Sequence, residues 1–253
     1  MRANSAPLWP LWLMPPRYTP GMALEKYREK RDFSKTPEPA GKTPRSKTSS
    51  VKWFFCVQKH LASHLHYDLR LEHQGVLLSW AVPKGPSLDP TVKRLAMHVE
   101  DHPVEYGEFE GVIPEGYGAG IVVLWDKGTW SPEVPDVDEA LRKGDLKFRL
   151  DGYKLKGSWV LVRTRGDGRS WLLIKHRDEW AGPLDITEFA PLSVKSEGDF
   201  EDILAADTPA IWKSTRPGGQ IGAALEQIIE KAARLKESKK RPTRPRRASR
   251  SKA

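Results

Sequence analysis

Chemistry is densest in the run Gln58-Lys59-His60-Leu61-Ala62-Ser63-His64-Leu65-His66-Tyr67-Asp68-Leu69-Arg70-Leu71-Glu72. Side chains alternate faces along a strand, so His66, Asp68, Arg70 and Glu72 share one face while Leu65, Tyr67, Leu69 and Leu71 share the other. An ordinary solvated strand would carry Thr, Ser or Lys at its polar positions. An imidazole, a carboxylate and a guanidinium at successive same-face positions instead make a compact site for a metal ion and an anion. Nitrogen and oxygen donors without thiolate suit manganese, iron or zinc, and favour the harder ions among them. A catalytic centre needs a third ligand, and His60, just before the turn into this strand, is the nearest candidate. The plainer alternative is a set of surface polar residues with no site attached.

A second run repeats the pattern. Across Lys93 to His102, the residues Arg94, Ala96, His98, Glu100 and His102 share one face, and Leu95, Met97, Val99 and Asp101 the other. Two strands that each turn charge inward predict a barrel or curved sheet with a polar concave face, with Arg94, Arg70 and Lys84 aimed at an anion. The planar guanidinium fork matches phosphate oxygens and Lys adds a point charge. A metal beside such cations is what phosphoryl transfer requires, because cations absorb the charge that develops in the transition state. His102 then suits proton donation to a leaving oxygen, since an imidazole titrates near neutral pH. His98 shares that parity, which alone does not separate a site residue from a buried, hydrogen-bonded one. His64, His73 and His176 fall at turns or strand ends, where solvation is the plainer reading. The segment Gly116-Tyr117-Gly118-Ala119-Gly120 has no lysine and leads into a strand, so it is a tight turn near the site's rim and not a phosphate-binding loop.

These residues need a β framework. Short β-branched and aromatic runs, broken by Gly and Pro, cover Trp53–Val57, Leu65–Leu71, Val76–Val82, Leu95–Val99, Ile121–Trp125, Leu146–Leu150, Trp159–Thr164 and Trp171–Ile174. Many short strands at close spacing predict a mainly β domain, a compact closed or nearly closed barrel over residues 51–195 with a few peripheral helices and disordered termini. His73-Gln74-Gly75 and Gly166-Asp167-Gly168 are hairpin turns. Helical pattern is confined to Asp136–Lys143, Asp199–Ala206 and Ile221–Lys236; the last carries an apolar stripe of Ile221, Leu225, Ile228, Ile229 and Ala232. Residues 22–50 open with a helix-friendly stretch and continue as an extended, Pro/Ser/Thr/Lys-rich arm, and residues 196–234 form a helical segment.

Charge is unevenly spread. Of the formal +9, residues 235–253 hold +8, with nine Lys/Arg against the single acid Glu237. Such a tail has little to bury, stays disordered, and neutralises phosphates, which makes a polyanion its natural partner. Cys56 is the one cysteine, which excludes an intrachain disulfide and a cysteine-rich metal site and fits a reducing cytoplasm. The apolar stretch Leu8–Pro16 is too short and too proline-cut to span a bilayer, so no membrane role is expected, and residues 1–21 read as an extension. With no exposed heptad or apolar helix pair, a monomer is expected.

The chain resembles the 3′-phosphoesterase family, found as a module of bacterial ligase D and as a stand-alone protein. The resemblance rests on Lys30-Arg31-Asp32-Phe33-Ser34-Lys35-Thr36-Pro37-Glu38-Pro39, on His60 through Glu72, and on Trp80-Ala81-Val82-Pro83-Lys84-Gly85-Pro86-Ser87. Lys93-Arg94-Leu95-Ala96, Val99-Glu100-Asp101-His102-Pro103 with Tyr106, and Gly111-Val112-Ile113-Pro114-Glu115-Gly116 complete it. It implies a β-barrel that uses manganese, or another divalent ion such as cobalt or zinc, to remove a 3′-terminal ribonucleoside from DNA and then the remaining 3′-phosphate. By the same resemblance His60, His66 and Asp68 hold the metal, Arg70, His102 and Tyr106 contact the scissile phosphate, and Lys84, Arg94 and Glu100 are auxiliary. Gln58 supports the site, and Asp32 lies in an arm that folds over it. Substrates would be primer-templates or broken DNA 3′ ends, with Ku and a DNA ligase or polymerase as partners, in a nucleoid-associated cytoplasmic protein. Two rival readings are a non-catalytic DNA-end-binding module and a phosphoesterase of small nucleotides; the first is opposed by the intact His60, His66, Asp68, Arg70 and His102 set, the second by the basic tail.

Overall fold

The computed structural model describes residues 24–31, 33, 38–39, 53–113, 118–206 and 234. Asp32, the 1–21 extension, most of the 34–50 arm, the 235–253 tail and all of the 207–234 stretch except Arg234 lie outside the described residues. Among these residues ten strands follow one another as β1 (Trp53–Leu61), β2 (Leu65–His73), β3 (Val76–Val82), β4 (Arg94–His98), β5 (His102–Pro103), β6 (Gly111–Ile113), β7 (Gly120–Pro132), β8 (Asp145–Gly152), β9 (Lys156–Arg163) and β10 (Ser170–Lys175). Among the described residues four short helices accompany them: α1 (Glu25–Glu29), α2 (Val137–Lys143), α3 (Ile186–Phe189) and α4 (Phe200–Ala205), with a 3-10 turn at Val104–Glu108.

Pairing runs β1-β2-β3-β4-β10-β9-β8-β7 and closes through β7 with β1, giving an eight-stranded antiparallel barrel. Closure leaves no open edge among these eight strands. The two-residue turn Gln74-Gly75 joins β2 to β3 with both residues at positive φ, 49° and 82°, the twist that such hairpins require. Asp136 caps α2 by accepting from the Glu139 amide, and Gly144 ends it in the left-handed conformation.

The interior is filled by alternate residues of all eight strands, among them Phe55, Leu69, Trp80, Trp125, Trp159 and Trp171. A register shift between Val57 and Gln58 makes room for Trp125 as an extra residue of β7, which joins this core. This corrects the expectation of a polar concave face. Tyr67, Leu69 and Leu71 point into the barrel, so Asp68 and Arg70 stand on its convex outer wall. Volume decides the matter, because a cylinder of this size is just filled by side chains and here those include the five indoles of Trp80, Trp125, Trp130, Trp159 and Trp171.

The outer wall is dressed at two places. Leu24 and Tyr27 of the α1 region pack on Val76, Leu77 and Tyr106, and Phe200 of α4 packs on Val112, Ile121 and Val123. A five-residue helix has no stability of its own in water, so α1 is held by that apolar contact. No helix among the described residues is long and apolar enough to cross a membrane.

Candidate active site

The site occupies the outer wall of β1, β2 and β3 and is roofed by β5, the 3-10 turn and the α1 arm. Antiparallel register sets His60 of β1 opposite His66 of β2, and Gln58 opposite Asp68. The two imidazole rings are 4.7 Å apart, and Asp68 reaches both, with its oxygens 3.7 Å from His60 Nδ1 and 3.7 Å from His66 Nε2. One donor atom from each residue lies within 4.8 Å of the others, so the three could hold a metal ion. Donors around a tetrahedral ion with bonds of ~2.1 Å are about 3.4 Å apart, which small side-chain rotations would reach.

The donor chemistry also fits. His60 Nε2 is buried with no hydrogen-bond partner, an atom that asks for one. Burial, aided by His66 and Arg70 and opposed by Asp68, lowers the His60 pKa and keeps the ring neutral, the form that ligates. His66 Nδ1 lies 3.0 Å from the His64 carbonyl; it donates there, which leaves Nε2 as the lone-pair nitrogen on the Asp68 side. Burial alone would raise the Asp68 pKa, but the Arg70 charge, with His60 and His66, outweighs it and holds the carboxyl well below the usual range.

Arg70 links these groups to the next set. Its guanidinium donates to Gln58 Oε1 at 2.7 Å, to Ser79 Oγ at 2.8 Å and to Asp68 at 3.1 Å. It also lies 4.8 Å from the centre of the Tyr106 ring, which is itself 4.8 Å from the His102 ring. His102 Nδ1 is 2.8 Å from the Glu100 carbonyl and so carries the proton, which turns the Nε2 lone pair toward Arg31, 3.3 Å away. Burial first, then Arg70 and Arg31, drive the His102 pKa well below that of a free imidazole. Arg31 stacks on the Tyr27 ring at 4.0 Å and pairs with Glu38 at 2.9 Å and Glu100 at 3.4 Å, while Lys30 meets Glu100 at 3.0 Å. Two imidazoles with one anchored carboxylate, and two guanidiniums about a third imidazole, could seat a divalent cation beside an anion.

A family profile for the DNA Ligase D 3'-phosphoesterase domain matches residues 58–163. The "Multifunctional non-homologous end joining protein LigD" of Pseudomonas aeruginosa is 56% identical over 180 residues, 69% of this chain and 21% of that protein. The protein of the same name from Mycolicibacterium smegmatis is 38% identical over 234 residues, 85% of this chain and 30% of that protein. A Mycobacterium tuberculosis LigD is 47% identical over 150 residues, 59% of this chain and 19% of that protein. This barrel is a ligase D-type 3′-phosphoesterase domain. The chain spans less than a third of the length of these relatives.

Of the residues singled out by spacing and resemblance, the phosphoesterase domain gathers His60, His66, Asp68, Arg70, His102 and Tyr106 into one cluster and attaches Glu100 through Arg31. It separates others. β4 ends at His98, the chain bends, and β5 pairs with β3 through His102 and Leu77. The expected common face of Arg94, His98 and His102 is therefore broken. His98 lies among interior indoles, 5.0 Å from Trp80, and Arg94 shares the inward side with Ala96. Lys84 and Arg94 flank the β3–β4 connection, at the barrel end where His60 and His66 sit, and no hydrogen bond or ion pair joins either to the cluster among the described residues. Gly120, the last residue of the glycine-rich segment, does approach the rim: a side chain there would run into the Leu61 carbonyl oxygen, next to His60; Gly116 and Tyr117 lie outside the described residues. Sequence reasoning missed Ser79, Arg31 and Glu38 as site neighbours. Ser79 could have been found as the one hydroxyl in the run Val76–Val82, on the side opposite Leu78 and Trp80.

Proposed function

We propose that the chain is a divalent-metal-dependent phosphoesterase of DNA 3′ ends, which removes a 3′-terminal ribonucleoside and then the 3′-phosphate to leave a 3′-OH for end joining. The observation that carries this reading is the direct contact of a three-donor group, His60, His66 and Asp68, with a phosphate-matching group, Arg70, His102 and Tyr106, through the 3.1 Å Asp68–Arg70 bond. Manganese, cobalt or zinc held by the first group would supply charge neutralisation at the phosphate or at an attacking water.

Arg70, locked by Gln58 and Ser79, presents its fork to a phosphate without reorganising, the condition for strong transition-state stabilisation. His102 begins neutral. An anionic phosphate set against Arg70 and Arg31 offsets their repulsion, so the imidazole can take a proton at Nε2 and give it to the leaving oxygen. Tyr106 packs against both groups and fixes their separation, while Lys84 and Arg94 act from the rim and Glu100 acts through Lys30 and Arg31 of the arm. The domain's relatives are named for non-homologous end joining, which supports broken DNA ends as substrate and makes Ku and a ligase or polymerase the expected company.

The decisive experiment uses a labelled primer-template ending in one ribonucleotide, beside a 3′-phosphate substrate, with and without Mn2+. Stepwise conversion to a 3′-OH that disappears in Asp68→Ala supports the reading. Tight binding with no cleavage under any divalent ion would leave a DNA-end-binding module as the better account.

A further inference from the structure

Among the described residues, every large hydrophobic side chain that is well exposed belongs to one end of the barrel, the end where His60 and His66 sit. Three of them are aromatic: Tyr153 in the β8–β9 turn is 71% exposed, Phe189 at the end of α3 72%, and Trp180 beyond β10 45%. The indoles of Trp80, Trp125, Trp130, Trp159 and Trp171 are all buried. Contacts set the three exposed rings on a path that leads away from the metal group. Lys59, next to His60, reaches the carbonyl of Pro191, two residues past Phe189, at 3.5 Å. Lys154, next to Tyr153, donates to the Ala190 carbonyl at 2.9 Å, and Lys156 sets its ammonium 5.5 Å from the Trp180 ring. Asp126 accepts the Lys154 and Leu155 amides, so the turn that carries Tyr153 is held in place.

The path ends in a cavity of about 350 Å³ on the outer wall of β7, β8 and β9, the size of a small-ligand site. Trp180, Arg149, Lys156, Thr129 and Ser131 contribute to its walls. Arg149 pairs with Glu179 at 3.1 Å and Lys156 with Asp151 at 3.5 Å, and all four side chains are open to solvent. Such pairs are weak, and a phosphate can displace their carboxylates.

We propose that this path is a second site, which binds single-stranded nucleic acid: bases stack on Phe189, Tyr153 and Trp180, and phosphates meet Arg149 and Lys156 at the cavity. Aromatic faces interleaved with cations hold a single strand without reading its sequence. The cavity stands two strands from β1, and register sets Thr129 beside Phe54, six residues from His60. At ~4.8 Å per strand and ~3.3 Å per residue that is on the order of 20 Å from the metal group. About six nucleotides at ~3.4 Å each cover it, so the segment that fits is the unpaired template strand beyond a primer 3′ end. The choice of DNA rests on the proposed function; the site itself needs no metal.

Fluorescence anisotropy on the full chain tests this at one fixed ionic strength. A labelled primer-template with about ten unpaired template nucleotides is compared with the same duplex ending blunt. Losing one stacked base weakens binding roughly 5- to 100-fold, so Trp180→Ala should raise Kd for the overhang substrate within that range and leave the blunt duplex unchanged. Trp180→Phe keeps a ring and should restore most of the affinity. Tyr153→Ala should act in the same sense as Trp180→Ala, and both side chains are exposed enough to be changed without disturbing the barrel. Parental affinity for the overhang in Trp180→Ala, or an equal loss on blunt DNA, overturns the proposal. Binding is read without turnover, so the two readings can fail separately. A chain that cleaves no 3′ end under any divalent ion, yet loses the overhang in Trp180→Ala, keeps this site and gives up the catalytic one.

Discussion

Gln58 Oε1 accepts the Arg70 Nε–H at 2.7 Å while the same amide donates to the carbonyls of Tyr106 and Phe109, each at 2.9 Å. One side chain therefore aims the guanidinium and ties down the turn that carries Tyr106. Gln58→Ala should leave a buried charged donor unpaired, at a loss of ~1.5–3 kcal/mol. If that loss falls on the transition state, kcat drops about 10- to 100-fold with Mn2+ affinity nearly unchanged. An equal fall in metal affinity, read by calorimetry, would show that Gln58 acts on the metal group instead.

Mn2+ should bind at His60, His66 and Asp68 and stabilise the fold. At 100 times its dissociation constant the gain is about 2.7 kcal/mol, or a rise in Tm of roughly 5–10 °C. Asp68→Asn keeps the shape, removes the charge and should abolish the shift. Retention of the full Mn2+-dependent rise in that variant would place the ion elsewhere.

Arg31 presses a positive charge against His102, at 3.3 Å. Removing a cation from beside an imidazole favours its protonated form, and opening the pocket to water does the same, so Arg31→Ala should raise the His102 pKa on both counts. Titration of the His102 ring by NMR checks the sign; an unchanged or lower value counts against the contact.

Asp126 is a buried residue of β7 whose carboxylate accepts the amides of Lys154 and Leu155 at 3.0 and 2.8 Å. Burial dominates those bonds and raises its pKa to about 6 from an ordinary 3.8. The folded chain then holds a proton that the unfolded chain has released between about pH 4 and 6, so this group's contribution to stability falls as pH rises through that window and stays low above it. The penalty at neutral pH is of order 3 kcal/mol. Asp126→Asn does not ionise, so its stability relative to the parent should be better at pH 7 than at pH 4.5. Urea titrations at the two pH values that give the same difference would refute this.

The eight barrel strands were all legible as β-branched and aromatic runs, because their composition is local. β5 and β6, at two and three residues, carry no period to detect. Period-two reading paired His66 with Asp68 and Arg70 correctly but reversed inside and outside, since parity says which residues share a face and not which face is enclosed. Across Lys93–His102 it assumed one continuous strand; the chain leaves the ladder after His98 and re-enters it only at His102. Arg31, Glu38 and Ser79 escaped because each meets His102 or Arg31 only through tertiary folding.

β2 carries one alphabet in two interleaved frames: its odd-numbered residues Tyr67, Leu69 and Leu71 answer to the volume of the cylinder, and its even-numbered His66, Asp68 and Arg70 to the charges of the cluster outside it. A gain or loss of one residue exchanges the two sets, sending charges into the indoles and leucines to the ions. What descent must keep constant in this strand is therefore its count.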